Sequence, residues 1–383
     1  MAFQRGHPHR EDCNGDKPSP LSVGRGGYAA ASDLCAGLPP PEWKNRSTRR
    51  AMQIGLESLI DEELAAYVDE SRAFYAARAA SRGTDSQPDP STPEGLQEVR
   101  ALEEARAKGA VSATSPGPPV VEALAEVAGR IVPVRILSPE NGTARGVYLD
   151  IHGGGFYMGL AARGDARNRS LAHALGIAVV SVDYRLAPEH PWPAASDDCE
   201  TAALWLLEEA ETRFGTTRLA IGGISAGATL AMTTLLRLRD RGVADPFVGA
   251  VLQFGTYDMS GKTPAGRLLD GEFFIQAYTG HVADRTNPDI SPVYGDLRGL
   301  PPSVLVVGSS DILLEDNLAM AARLSAAGNE IEVRVYPESP HGFTLHPTAM
   351  ASAAIRDIEM WLSYRFLGTE PRLTDEIRAS VRS

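Results

Sequence analysis

From about residue 128 to 366, short apolar runs alternate with helical stretches, and this alternation constrains the fold of the 383-residue chain more than any other feature. The runs are RIVPVRIL, RGVYLDIH, IAVVSVDY, TRLAIGGI, FVGAVLQF, SVLVVGSS and IEVRVYP. Between them lie stretches such as DDCETAALWLLEEAETRF, GATLAMTTLLRLRDRG and LEDNLAMAARLSAAG. Runs of Val, Ile and Leu without polar alternation suit strands covered on both faces. Strands separated by helices build a mostly parallel sheet, because a parallel connection needs a crossover long enough to hold a helix. The pattern predicts one doubly wound α/β domain without internal repeats.

Upstream the pattern changes. The first fifty residues are rich in Gly, Pro, Ser and charge and follow neither the helical nor the strand period. They read as a disordered extension, or as a start that precedes the functional one. From about 53 to 106, Leu64, Tyr67, Val68, Phe74 and Tyr75 recur at roughly helical spacing behind an Asp61 cap, and Leu96, Val99 and Leu102 mark a second amphipathic segment. Such stripes need a surface to cover them. SRGTDSQPDPSTPEG separates the two helices and SATSPGPP closes the region. The expected organisation is an extension over 1–50, a helical region over 51–127, the α/β domain over 128–366 and a tail over 367–383.

Charge and cysteine content narrow the class. A formal net charge of −12 argues against nucleic acid or an anionic membrane surface as the main partner, since both require a dense positive field. The one basic knot, WKNRSTRR at 43–50, reads equally well as a solvated linker. Three cysteines, Cys13, Cys35 and Cys199, are odd in number and far apart, so neither a disulfide framework nor a metal site is suggested. No stretch has the length and apolarity of a membrane span, and the N-terminus lacks the apolar core of a signal peptide. A cytoplasmic enzyme is the expectation.

The chemistry concentrates in AIGGISAGATL, where Gly223-Ile224-Ser225-Ala226-Gly227 spells G-x-S-x-G between an apolar run and a helical stretch. That setting is what a nucleophile elbow requires. The two glycines let strand and helix approach, and the helix N-terminus sets an amide and a positive partial charge beside the reacting oxygen. A serine nucleophile needs a base, and the base needs an acid to hold its tautomer; on such folds the chain order is Ser, acid, His. His341, in YPESPHGF just past the run IEVRVYP, is favoured over His346 further along. Asp311 directly follows SVLVVGSS, whereas Glu315 and Asp316 fall in the first turn of the next helix; Asp311 is the expected acid and Glu315 the reserve. LDIHGGGFYMG sets His152-Gly153-Gly154-Gly155 after another strand run, where backbone N–H groups can face a developing oxyanion. Residues 153–159 do not match G-x-G-x-x-G, and GTYDMSGKT, which resembles a phosphate loop, has five residues between Gly255 and Gly261 where that loop has four.

HGGGF at 152–156, DYRLAPEHPWPA at 183–194, GISAG at 223–227, Asp311 and HGF at 341–343, in this order, together resemble the hormone-sensitive-lipase-like branch (bacterial family IV) of the α/β hydrolases. The resemblance covers roughly residues 119–366. It implies an eight-stranded, mostly parallel sheet flanked by helices. It also implies a helical cap built from the N-terminal helices and a segment near 258–290. The implied activity is hydrolysis of carboxylic esters, often with short or medium acyl chains, without cofactor or metal. Carried over by position, Ser225 is the nucleophile, Asp311 the acid and His341 the base. Gly153, Gly154, Gly155 and Ala226 supply the oxyanion donors, with Gly153 and Gly154 first among the glycines. His152 orients the loop, and Tyr184, Arg185 and Glu189 act as scaffold. Ile224 stands where the family usually has a polar residue, which leaves that position's loop contacts open. Phe156, Phe273, Phe274 and Tyr278 are the candidate substrate-lining residues.

The expected partner is thus a small-molecule ester. Lactones, acetylated sugars and aryl esters are alternatives on the same triad. A non-catalytic ligand-binding protein on this fold is the alternative from another class, and the retained histidine speaks against it. Peptidase activity lacks a second domain or repeats to select peptides. An open sheet leaves edges that a second copy could pair, so a homodimer is one expected assembly.

Overall fold

The computed structural model describes residues 60–81, 88–111, 118–140 and 142–367. The expectations for residues 1–50, for most of the tail, and for Cys13 and Cys35 lie outside these. Eight strands form one sheet: β1 (Val121–Val127), β2 (Arg130–Leu137), β3 (Val147–Ile151), β4 (Ala178–Val182), β5 (Leu219–Ile224), β6 (Phe247–Gln253), β7 (Ser303–Gly308) and β8 (Ile331–Tyr336). Their spatial order is β1-β2-β4-β3-β5-β6-β7-β8. β1 and β2 pair antiparallel, as do β2 and β4, and every other pairing is parallel. The chain has the α/β-hydrolase architecture, an eight-stranded and mostly parallel sheet flanked by helices.

The helices are α1 (Val68–Ser81), α2 (Pro93–Val111), α3 (Asp165–Leu175), α4 (Ala194–Phe214), α5 (Ala226–Asp240), α6 (Pro264–Arg267), α7 (Phe273–Thr279), α8 (Leu314–Ala326) and α9 (Ala349–Leu367). They explain why the central strands β3 to β7 are buried almost throughout. Side chains alternate across a strand, so Val147, Leu149 and Ile151 of β3 enter a core beneath α4, α5 and α8. Tyr148, between them, enters a second core beneath α3 and α9. Val180 and Val182 of β4 take the first side and Val179 the second. Each fully buried aliphatic side chain contributes about 1.5–3 kcal/mol, so the central strands are fixed from both faces.

β1 departs from the sequence reading. The boundary expected at 127 assigned VEALAEV to the helical region, yet this segment is a strand in full register with β2, so the sheet begins at Val121. The segment alternates instead of running apolar: Ala125 is fully buried while Val121 and Leu124 are exposed, as befits an edge strand covered on one side. Its turn is also unusual. Ala128 and Gly129 both take positive φ, the geometry of a tight hairpin, without the Asn-Gly or Asp-Gly that signals one in a sequence.

In the N-terminal region a 3₁₀ turn (Glu62–Tyr67) leads into α1, and the Asp61 side chain accepts the Glu63 N–H at 2.9 Å, as the expected cap. Leu64 is buried with Met350 and Ala354 of α9, and Tyr67, Val68 and Tyr75 pack against the same cluster. In α2, Leu96 is buried but Leu102 is exposed. Spacing of three falls behind the helical period of 3.6, so six residues carry the stripe off the covered face.

Parallel register also sets what meets at the carboxyl edge of the sheet. Ile151 of β3 aligns with Gly223 of β5, and Gly153 and Ser225 each follow two residues later. Gly308 of β7 aligns with Tyr336 of β8, just before Asp311 and His341. Four separate sequence segments therefore reach one end of the sheet, where sites of open α/β sheets form.

Candidate active site

Ser225 sits between β5 and α5 with φ 55° and ψ −120°, a conformation that costs a non-glycine residue about 1–3 kcal/mol. The Ser225 N–H donates to the Gln253 carbonyl at 2.8 Å, which helps to hold it there. The elbow's glycines are required by proximity. A Cβ on Gly223 would collide with the Gly227 backbone, and one on Gly227 with the Ile151 and His152 carbonyls. Overpacking against rigid backbone typically costs 1–3 kcal/mol. Gly227→Ala is therefore expected to lose about that much stability, read as a lower urea midpoint, together with at least a tenfold loss of turnover as the 152–155 loop is pushed from Ser225. A variant with unchanged midpoint and rate would show that the loop yields freely.

Around Ser225 the predicted partners converge. His341 Nε2 lies 3.0 Å from Ser225 Oγ, and His341 Nδ1 lies 3.1 Å from both carboxylate oxygens of Asp311. The Asp311 side chain is fully buried, and its Oδ1 also accepts the Leu313 N–H at 2.8 Å. Because a carboxylate only accepts, this geometry puts the imidazole proton on Nδ1 and leaves Nε2 facing the serine as an acceptor. Phe254 packs edge-on to the imidazole, with ring centres 5.1 Å apart. The other candidates lie elsewhere. Glu315 is exposed on α8. Asp316 is buried, pushed up to about 7 by that burial, and accepts the backbone N–H groups of Tyr257 and Asp258. His346 pairs with the Tyr75 hydroxyl at 3.1 Å.

The glycine loop leans on the elbow. A Cβ on Gly153 would come within 2.6 Å of the Ile224 carbonyl and 3.4 Å of Ser225 Cβ. Gly153, Gly154, Gly155 and Ala226 border the same cavity as Ser225 and His341. His152 is buried, and its Nδ1 lies 2.8 Å from the Gly153 carbonyl, so that nitrogen donates. Burial holds its pKa below the usual histidine range, which keeps the ring neutral. Its ring stacks on Tyr184 at 4.1 Å, and the Tyr184 hydroxyl donates to the His152 carbonyl at 3.0 Å. Arg185 forks onto Asp198. Glu189 instead pairs with Arg100 of α2, whose guanidinium also donates to the carbonyls of Tyr157 and Ala187. Nothing in the sequence around Arg100 singled it out: it is an ordinary helical arginine until its partners 57 to 89 residues away are known.

The cavity holds about 730 Å³. Leu269, Phe274, Ile312, Leu313 and Leu345 give it an apolar side, while Glu103, Arg163 and Arg167 make the other side polar. Glu103 accepts from Arg163 and from the Gly159 N–H. Both segments expected to cover the site contribute, α2 through Glu103 and residues 258–290 through Leu269, Glu272 and Phe274. The aromatic expectations divide. Phe274 borders the cavity, as does Phe156, but the buried Phe156 ring is stacked on Tyr278 with centres 4.1 Å apart. Phe273 and Tyr278 do not border it. Phe273 packs edge-on to Tyr157, and Tyr278 is buried with its hydroxyl on Ser196. Successive helical positions turn by about 100°, which separates Phe273 from Phe274; Tyr278, four residues after Phe274, lies toward the same side but is covered by the Phe156 ring and held by Ser196. Ile224 joins the apolar core that contains Phe254 and Phe343, so packing replaces the polar contacts usual at that position.

Among the described residues, no group of three or more His, Cys, Asp or Glu is placed to hold a metal ion. None of the described helices is long and apolar enough to cross a membrane. Cys199 is a free, buried thiol whose pKa burial pushes up.

An eight-stranded sheet of this order, with a strained serine at its carboxyl edge, defines the class: an α/β hydrolase. Residues 148–345, more than half of the chain, match the family described as alpha/beta hydrolase fold, and the chain belongs to that family, in its hormone-sensitive-lipase-like branch. It is similar to the carboxylic ester hydrolase LipN of Mycobacterium tuberculosis, at 32% identity over 55% of this chain and 61% of LipN, so more than a third of LipN lies outside the match. An ethyl acetate hydrolase of Pseudomonas putida is 33% identical over 56% of this chain and 72% of its own. Among solved structures, the esterase LipW from Mycobacterium marinum superposes with a TM-score of 0.65 at 28% identity, covering 81% of this chain and 97% of LipW.

Proposed function

We propose that the protein is a serine carboxylic-ester hydrolase acting through an acyl-enzyme on short- to medium-chain esters, with Ser225, His341 and Asp311 as its triad. The observation that carries the reading is the unbroken relay from Ser225 Oγ through His341 to Asp311, at 3.0 and 3.1 Å, inside a cavity bordered by three glycines and a helix N-terminus. His341 Nε2 takes the serine proton as Oγ attacks the ester carbonyl, then returns it to the leaving alcohol. Asp311 keeps the imidazole in the tautomer that can accept, and its charge stabilises the imidazolium that forms. Backbone N–H groups from Gly153, Gly154 or Gly155 and from Ala226 stabilise the tetrahedral oxyanion; each such donor typically contributes on the order of 100- to 1000-fold in rate. Water then repeats the sequence on the acyl-enzyme and releases the acid.

The apolar wall of Leu269, Phe274, Leu313 and Leu345 supports an acyl chain on one side of Ser225, and a cavity of about 730 Å³ suits a small substrate better than a polymer. The names of the relatives, carboxylic ester hydrolase and ethyl acetate hydrolase, support the same reaction. The test is a panel of para-nitrophenyl esters from acetate to laurate beside the matching para-nitroanilides. Esters of short and medium acids are expected to turn over fastest, with the anilides essentially inert. Equal cleavage of anilide and ester would indicate an amidase, and inertness toward the whole panel would overturn the reading.

A further inference from the structure

The loop that carries His341 is held from outside the sheet by the N-terminal helix α1. Glu338, three residues before the base, has φ 47°, a left-handed conformation uncommon for a residue with a side chain. Three groups fix it there. Its N–H donates to Ser309 Oγ at 3.0 Å, its carbonyl accepts from Ser71 Oγ at 2.8 Å, and its carboxylate pairs with Arg72 at 3.0 Å. Ser71 is the one fully buried polar residue on α1, and its hydroxyl has no other partner among the described residues. Beyond the base, the Tyr75 hydroxyl meets His346 Nδ1 at 3.1 Å, and the Glu70 carboxylate accepts the Ala349 N–H at 3.0 Å, where α9 begins. On its inner side the loop is bound to the segment that bears Asp311. Ser310 N–H donates to the Ser339 carbonyl at 3.1 Å, and that carbonyl occupies the space a Cβ on Gly308 would need.

We infer that α1 is a positioning clamp for the catalytic base: Ser71 and Tyr75 hold the 338–346 loop so that His341 stays in line with both Ser225 and Asp311. Ser71, Arg72 and Tyr75 occupy one face of α1, at spacings of three and four residues with Arg72 beside the first, and grip the loop on either side of the histidine. Strained backbone persists only where its surroundings over-determine it. Removing the Ser71 hydroxyl takes away one of three restraints on Glu338 and leaves its carbonyl without that donor. The loop then gains access to arrangements in which His341 is displaced from Ser225, and misplacement by about 1 Å can cost on the order of a hundredfold in rate. Neither Ser71 nor Tyr75 borders the substrate cavity, so substrate binding is not what they supply.

This inference rests on the reading of His341 as the base, and the test separates the two. Ser71→Ala and Tyr75→Phe are compared with the parent and with Ser225→Ala in the full-length protein, by circular dichroism, by kcat and KM on para-nitrophenyl butyrate, and by the rate at which a fluorophosphonate labels Ser225. Ser71→Ala is expected to keep its fold and its KM, while kcat and the labelling rate fall together by about tenfold, part of the cost of a misplaced base. Tyr75→Phe is expected to change the same two rates in the same direction, and it carries the test if Ser71→Ala does not fold. Unchanged kcat and labelling in the folded variants, with Ser225→Ala inactive, would overturn the clamp and leave the triad standing. Full activity in Ser225→Ala would overturn the triad itself.

Discussion

Ser225→Ala is expected to lower kcat on a para-nitrophenyl ester by very roughly a millionfold while leaving the fold and the substrate affinity near those of the parent. The size follows from how the triad works as a unit. Without Oγ there is no acyl-enzyme, His341 has no proton to move, and the glycine loop can stabilise only slow attack by water; the residual rate over water is then on the order of 10³–10⁴. The fold should tolerate the change because Ser225 holds its strained backbone through the Gln253 carbonyl and the glycines around it, not through the hydroxyl. Its Oγ has one partner among the described residues, His341 Nε2. Steady-state assays with active-site titration check the rate, and equilibrium binding of a non-hydrolysable phosphonate diester checks the affinity. A variant retaining a tenth of the parent rate after removal of contaminating esterase would exclude Ser225 as nucleophile.

Much of the fold was legible because its physics is local. The runs that became β3 to β7 are buried almost throughout, since helices cover both faces, and a buried strand announces itself in any window of six residues. The elbow was legible for a related reason: a strand, a serine flanked by close-approach glycines and a helix follow one another without interruption. β1 was not, because an edge strand with one covered face mixes Glu with Ala and Val, and Ala128-Gly129 makes a hairpin turn without the usual residues. The aromatic residues of α7 show a different limit. Periodicity separates Phe273 from Phe274 and sets Tyr278, four residues on, beside Phe274, and only the neighbours decide that Phe274 meets the cavity while Tyr278 meets Ser196.

The supports of the site were the least legible part. Arg100 reaches Tyr157, Ala187 and Glu189, and Ser71 reaches Glu338 across a separation of 267 residues. Each is one polar residue on a helix whose polar face looks like any solvated face. Burial is what distinguishes Ser71, and burial on α1 depends on where α9 packs. Sequence patterns identify groups that react, because chemistry restricts their type and order. Groups that position them are restricted only by three-dimensional neighbours.

Asp311→Asn is the second large effect, expected to reduce kcat by about 10⁴ with little change in KM. An asparagine fits the same space, and its carbonyl oxygen can still accept the Leu313 N–H that Asp311 Oδ1 accepts now at 2.8 Å. Its amide nitrogen, however, becomes a donor toward His341 Nδ1, which must then act as acceptor. The proton moves to Nε2, and the imidazole presents a donor to Ser225 Oγ where the reaction needs a base. The charge that stabilises the imidazolium is lost as well, in a pocket where the carboxylate is fully buried and water cannot replace it. Glu315→Gln serves as the comparison: this exposed carboxylate at the start of α8 makes no contact with His341, and its replacement is expected to leave kcat within about twofold, as for most surface substitutions. The two variants together separate a local from a general electrostatic role. If both carboxylates matter equally, the field of the α8 N-terminus governs the rate. If Asp311→Asn costs less than tenfold while Ser225→Ala is inactive, the tautomer of His341 is set by a group other than Asp311, and the nearest buried carboxylate in sequence, Asp316, is already committed to the backbone of Tyr257 and Asp258.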